Sequence, residues 1–230
     1  MNEPSLLLLA SNSPRRRQLL ALGGWMFTVE VSNSDESLLP GETPEAYVRR
    51  LAEAKARAVL ERARPEHVII GADTSVVIDG EILGKPMDAD DAHKMLRRLR
   101  GRTHQVYTGI AVLRVRDGKL LTDVCVTDVP MRAYSDDEID AYVRSGDPLD
   151  KAGAYGIQNP DFQPVARMEG CYASVMGLPL CHLTALLRRM DVTPRADVAR
   201  NCQATLAYQC PVFRSILNGE KMGSLASSGE

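Results

Sequence analysis

Short apolar runs of strand length alternate along this chain with segments that open on a helix-capping residue, and that alternation places the fold in the α/β or α+β class. Leu6 to Ala10 reads as a buried strand. Directly after it, Ser13-Pro14 supplies a serine cap and a proline at the first helical position, predicting a helix to about Leu22. Thr43-Pro44 repeats the signal, with Tyr47, Leu51, Ala54 and Ala58 recurring at helical spacing behind it. Val68-Ile69-Ile70 predicts a buried strand that ends in the polar cluster Gly71-Ala72-Asp73-Thr74. Val76 to Leu83 is split by Asp79-Gly80, a two-residue hairpin turn.

Further on, Asp88 predicts a helix cap, with Ala92, Met95, Leu96 and Leu99 inward and Gly101 as the stop. A long hairpin follows, its arms Val106 to Val115 and Leu120 to Met131 turning at Asp117-Gly118. Ser135 and Glu138 form a capping box for a helix carrying Ile139, Tyr142 and Val143, ended by Gly146. Pro179 opens a helix with Leu183, Leu186, Leu187 and Met190 on one face. No internal repeat is visible. Past Asp191 the pattern degrades, because Thr193-Pro194 breaks the helix and the last residues are rich in Gly and Ser. Residues 1–192 are therefore expected to form one domain, and 193–230 a partly disordered C-terminal extension dispensable for chemistry.

With 44% apolar residues in 230, the chain can bury an ordinary globular core. Its formal net charge of -2 argues against a nucleic-acid groove or an anionic membrane surface as partner, so any anion site must be local. The run Leu6 to Leu9 is too short to span a bilayer and lacks the basic flank of a signal peptide, which gives a cytoplasmic location as the expectation. The five cysteines, Cys125, Cys171, Cys181, Cys202 and Cys210, are odd in number and show no CxxC pairing. Free, buried or half-buried thiols are expected rather than a disulfide framework or a zinc site.

Three constellations could carry chemistry. Ser11-Asn12-Ser13-Pro14-Arg15-Arg16-Arg17 sits between a strand and a helix start, where unpaired N–H groups and arginines suit a phosphate. A capped helix with a solvated basic turn explains the same residues equally well. Asp73 follows a buried strand, a placement that suits a metal, a proton or a backbone cap. Glu36, beside Asp35, and Lys55, at the edge of the Leu51 stripe, read singly as surface charge. A regular hairpin about Asp79-Gly80 puts Lys85 opposite Thr74, which brings it beside Asp73 but on the other face unless Gly84 forms a bulge. The loop Asp150 to Gln158 contains two glycines and ends in an amide able to read a base edge, although on these residues alone a tight loop with an incidental glutamine is the better reading. Phosphate-loop, GxGxxG, HExxH and GxSxG motifs are missing from the sequence.

Together these pieces become recognisable. Ala10-Ser11-Asn12-Ser13-Pro14-Arg15-Arg16, Ala54-Lys55-Ala56, Gly71-Ala72-Asp73-Thr74, Gly84-Lys85-Pro86, His104-Gln105-Val106-Tyr107-Thr108 and Ala154-Tyr155-Gly156-Ile157-Gln158 closely resemble the Maf family of nucleotide pyrophosphatases, in order from about Leu6 to Asp191. The resemblance implies an inosine triphosphatase-like α/β fold: two lobes on a long, bent, mixed sheet flanked by helices, with a central cleft and usually a homodimer. It implies hydrolysis of nucleoside triphosphates with a divalent cation, Mg2+ or Mn2+. By the same resemblance the catalytic aspartate is Asp73, and Ser11, Arg16, Glu36, Lys55 and Lys85 handle phosphate and metal, with Glu36 and Asp73 as metal ligands. Arg15, Thr74 and Gln158 fall on the substrate-discriminating positions and match the dTTP- and UTP-preferring members at all three. A related branch acting on 7-methyl-GTP typically carries tryptophan at the first of these. The residues after Asp191 and Asn159-Pro160-Asp161 depart from the family pattern without touching a catalytic position. The rival expectations are a 7-methyl-GTP or modified-nucleotide pyrophosphatase of the same plan, and a nucleotide-binding regulator of septum formation without turnover.

Overall fold

The computed structural model describes residues 6–220. Strand β1 (Leu7–Ala10) leads into helix α1 (Pro14–Ala21), whose cap is Ser13, and α1 returns through β2 (Phe27–Glu30) to α2 (Pro44–Arg57), capped by Thr43. Both capping signals in the sequence are thus real helix starts. The hairpin of β3 (Val68–Ile78) and β4 (Glu81–Leu83) turns on Asp79 and Gly80, both at positive φ (54° and 77°), the conformation that a tight right-twisted hairpin needs. Then come α3 (Ala89–Leu99) behind its Asp88 cap, the long hairpin β5 (Thr103–Arg114) and β6 (Leu120–Pro130), and α4 (Asp136–Arg144) with both halves of its capping box formed. The remaining helices are α5 (Tyr172–Val175), α6 (Leu180–Arg188), α7 (Val198–Leu206) and α8 (Phe213–Leu217). None of the described helices is long and apolar enough to cross a membrane.

The six strands form one mixed sheet in the order β2-β1-β3-β5-β6, with β4 added to β3. β1 runs parallel to the first part of β3 (Leu9 beside Ile70), and β4 runs antiparallel to its last part (Leu83 beside Val76). Between those two neighbours, Gly71 to Ser75 pair with β5 alone. The sheet is therefore open along one edge at mid-strand. The two halves bury separate cores. Leu7, Leu9, Val68, Ile70 and Val112 pack against α1 and α6 on one side, while Val76, Val106 and Val129 pack against Leu96, Ile139 and Tyr142 of α3 and α4 at the other end.

The strand expected to end before Asp73 continues past it. Asp73 does not lie after a strand but inside one, because β5 pairs without interruption from Val68–Arg114 to Val77–Gln105 and carries β3 straight through the polar cluster. The glycine and polar residues of that stretch disguise its length. In the extension, residues 198–206 and 213–217 are helical, tied to the domain where Asn201 donates to Leu22 O and Arg195 N–H to Gly23 O. Residues 221–230 lie outside the described residues.

Candidate active site at the break in the sheet

Glycine decides how close α2 comes to the sheet. A Cβ at Gly71 would stand 2.0 Å from the carbonyl oxygen of Ala52, and one at Gly109 would stand 2.3 Å from that of Val48, so helix backbone rests almost directly on strand backbone. On this face β3 presents Ile69, Gly71 and then Asp73. The short approach lets Lys55 of α2 reach over the strand: its Nζ lies 2.6 Å from Asp73 Oδ1 and 2.7 Å from Glu36 Oε1. Lys55 and Asp73 are buried, whereas Glu36 is half exposed at the mouth. Nothing in the spacing of Glu36, Lys55 and Asp73 signals that one lysine bridges both carboxylates.

The loop that brings Glu36 in is held from the same helix. Tyr47 Oη donates to the Glu36 carbonyl at 2.7 Å, and Arg50 donates to the Ser37 carbonyl at 2.9 Å while pairing with Glu42 at 2.6 Å. Tyr47, which the helical spacing assigns to an apolar stripe, is thus a tether as well. Partial burial pushes the Glu36 carboxyl up, but the hydrogen bond and charge of Lys55, then the fields of Lys85 and Arg16, outweigh it and leave its pKa lowered.

The opposite face of β3 carries the arginine. Ser13 accepts the Arg16 N–H as a helix cap, so the structural role of the first motif is genuine. The Arg16 side chain has a different job: Nε donates to Gly177 O at 2.9 Å, Nη1 to Ser11 Oγ at 3.3 Å and Nη2 to Thr74 Oγ1 at 3.3 Å. Thr74 and Thr108 hydroxyls meet at 3.0 Å, and Thr108 donates to Ser174 O at 2.8 Å. Burial lowers the Arg16 pKa and Arg15 adds to this, while Asp73 and Glu36 pull the other way. The guanidinium is held between the first strand, the middle strand and the segment after α5. Gly177, Thr108 and Ser174 are missed by spacing alone, since they lie far from Arg16 in sequence.

Not every expected residue joins this group. The hairpin register that would set Lys85 opposite Thr74 stops at Leu83, and Gly84 is free of a bulge's constraints, its carbonyl accepting the Gly153 N–H at 2.9 Å. Lys85 stands exposed beyond the strand and acts on the site through its field on Glu36. Arg15 is half-buried and Gln158 exposed, and the side chain of neither makes a hydrogen bond or ion pair among the described residues. His104 belongs to the neighbouring core, with Nε2 against Tyr155 Oη at 2.8 Å and its pKa lowered by burial to about 4. Among the described residues no three His, Cys, Asp or Glu side chains converge as a metal cluster. Glu36 and Asp73 are the two carboxylates that meet here. All five cysteines are free thiols, as expected.

The family described as "Maf-like protein" matches residues 6–190. A dTTP/UTP pyrophosphatase of Anaeromyxobacter dehalogenans (strain 2CP-C) is 49% identical over 80% of this chain and 93% of its own length. The dTTP/UTP pyrophosphatase of Hahella chejuensis (strain KCTC 2396) is 46% identical over 83% of this chain and 95% of its own. Among solved structures, the Staphylococcus aureus Ham1 protein aligns with 94% of this chain and 100% of its own, at a TM-score of 0.45 and 15% identity. A family match across most of the sequence and near half identity to these relatives settle the kinship: the chain belongs to the Maf-like protein family.

Proposed function

We propose that this chain hydrolyses the pyrimidine nucleoside triphosphates dTTP and UTP to the monophosphate and pyrophosphate. The observation that carries the reading is Lys55 bridging Asp73 and Glu36 at the open edge of β3, in a chain nearly half identical to proteins named for that activity. A triphosphate brings about four negative charges, so the site must neutralise charge before water can attack. Lys55 has three N–H donors and spends two on carboxylates, leaving one for a phosphate oxygen. Arg16 has five and spends three, so its remaining donors can serve the same group, with Ser11 beside it. Lys85, exposed at the mouth, adds a point charge.

Two carboxylates are too few for an all-protein metal cage but fit Mg2+ or Mn2+, which binds through one or two carboxylates and completes its shell with substrate phosphates and water. Glu36 and Asp73 would hold it, and it would supply charge neutralisation and a more acidic water. Lys55 occupies Asp73 Oδ1, which leaves Oδ2 to orient the attacking water and take its proton. The water oxygen bonds to the α-phosphorus as the bond to the bridging oxygen breaks, its electron pair departing with pyrophosphate. A panel of dTTP, UTP, CTP and 7-methyl-GTP with Mg2+ or Mn2+ tests this. Pyrophosphate should appear fastest from dTTP and UTP; orthophosphate as the product, 7-methyl-GTP as the best substrate, or nucleotide binding without turnover would each reject the proposal.

Two substitutions refine it. Tyr47→Phe removes one neutral hydrogen bond from the Glu36 carbonyl, which corresponds to about 0.5–1.5 kcal/mol. Turnover at limiting Mg2+ should drop about two- to tenfold and recover as Mg2+ rises; a variant indistinguishable from wild type across the titration shows that the tether is irrelevant. We assign base choice to Arg15, Thr74 and Gln158, the amide of Gln158 matching the imide edge of thymine or uracil. Arg15→Trp with Gln158→Glu should cut kcat/KM for dTTP and UTP more than for 7-methyl-GTP, since unpaired polar groups cost about 1–3 kcal/mol each. Proportional loss on all substrates would place these residues in support of the fold instead.

A further inference from the structure

The cysteines have no part in the proposed hydrolysis, yet Cys171, Cys181, Cys202 and Cys210 line one small cavity where the family domain meets the extension. Cys171 and Cys181 come from the domain, Cys202 and Cys210 from α7 and the loop after it. Tyr208 fixes the approach: its Oη accepts the Gly170 N–H at 3.1 Å and donates to the Gly170 carbonyl at 2.9 Å, next to Cys171. Gln203 Oε1 accepts the Cys210 N–H at 3.1 Å and holds the other side. Cys171 also begins the segment that positions Arg16, since Ser174 O takes the Thr108 hydroxyl and Gly177 O takes Arg16 Nε. The four thiols are not equivalent. Interaction with Cys171 draws the half-buried Cys210 down to about 7 against the opposing effect of burial, helped by the N–H groups of Val212 and Phe213. Cys171 is pushed up by Cys125, which lies outside this cavity lining, then by Cys210 and by burial, and burial first of all raises Cys181 and Cys202 to about 12 and 11.

We propose that Cys171 and Cys210 are a redox-closable pair, which a hydroperoxide oxidises to a disulfide that staples the C-terminal extension to the segment holding Arg16. The Cys210 thiolate attacks a peroxide oxygen and the O–O bond breaks, giving a sulfenic acid on Cys210 and, after protonation, water or an alcohol. The Cys171 sulfur then attacks that sulfur, forming the S–S bond, and hydroxide leaves with the Cys171 proton as water. Two electrons pass from the sulfurs to the peroxide, and a dithiol reverses the step. Closing the bond constrains Cys171, and with it the segment whose carbonyls hold Thr108 and Arg16.

Hydrogen peroxide on the full chain, followed by peptide mapping without reductant, tests the proposal. Cys171 and Cys181 share one tryptic peptide and Cys202 and Cys210 another, so serine variants make the assignment. The cross-link should form in wild type, Cys181→Ser and Cys202→Ser, and be lost in Cys171→Ser and Cys210→Ser. A cross-link that survives in Cys210→Ser, or over-oxidation of Cys210 with no cross-link in wild type, would overturn it. Oxidised wild type should also lose turnover by at least about threefold, since small displacements of positioning groups are costly, and dithiothreitol should restore it. Cys210→Ser should keep its reduced-state turnover under peroxide. This last arm rests on the pyrophosphatase reading while the peptide map does not, and a reversible cross-link with unaltered turnover would overturn the connection to Arg16.

Discussion

Asp73→Asn is expected to lower kcat by about 10²-fold or more while leaving the protein folded. The two side chains are nearly isosteric, and the asparagine oxygen can still accept the Lys55 Nζ donor that now lies 2.6 Å from Asp73 Oδ1. What is lost is the negative charge, and with it both the affinity for a divalent cation and the ability to take a proton from water. Lys55 keeps Glu36 as its second partner at 2.7 Å, so its ammonium is not stranded in an apolar environment, the circumstance in which breaking a buried pair costs about 3–5 kcal/mol. Circular dichroism and a thermal melt should therefore resemble wild type. A folded Asp73→Asn protein that retains more than about a third of wild-type turnover would remove Asp73 from the chemistry altogether.

Local signals in the sequence translated directly into structure where the physics is local. A serine or threonine before proline, an aspartate before an apolar stripe and a Ser-x-x-Glu box each fix a helix start within a few residues, and Ser13, Thr43, Asp88 and Ser135 all cap as read. Asp79-Gly80 likewise sets a hairpin, because both residues tolerate positive φ. Long-range geometry was less legible. Glu36 and Lys55 are nineteen residues apart on a loop and a helix, and nothing in either segment announces that α2 sinks onto Gly71 and Gly109 far enough for one ammonium to serve two carboxylates. The continuity of β3 through Asp73 depends on β5, a partner some forty residues later, and so could not be inferred from the Gly-Ala-Asp-Thr stretch itself. The contacts of Arg16 with Gly177 and of Thr108 with Ser174 join residues 161 and 66 positions apart, beyond the reach of any local signal. Motif order across the whole chain recovered what single motifs left undecided.

Gly71→Ala should cost stability and activity together, which a surface substitution would not. Gly71 has no need of a left-handed backbone, so the penalty is wholly steric: the added Cβ would lie 2.0 Å from Ala52 O and 2.8 Å from Ala56 N. Both are backbone atoms of α2 and cannot swing aside as a flexible side chain would. Either the sheet yields locally or the fourteen-residue helix moves outward, and overpacking of this kind costs typically about 1–3 kcal/mol. Outward movement of α2 also withdraws Lys55 from Asp73 and loosens the Tyr47 hold on Glu36. The urea midpoint should therefore fall and turnover with it, the latter by more than about tenfold given how steeply charge-assisted contacts and catalytic positioning depend on distance. Gly84→Ala is the matched control, because a Cβ there meets nothing within 4 Å and no positive φ is required. If Gly71→Ala unfolds within about 0.5 kcal/mol of Gly84→Ala, the helix has room to spare and close backbone approach is not what brings Lys55 to the strand.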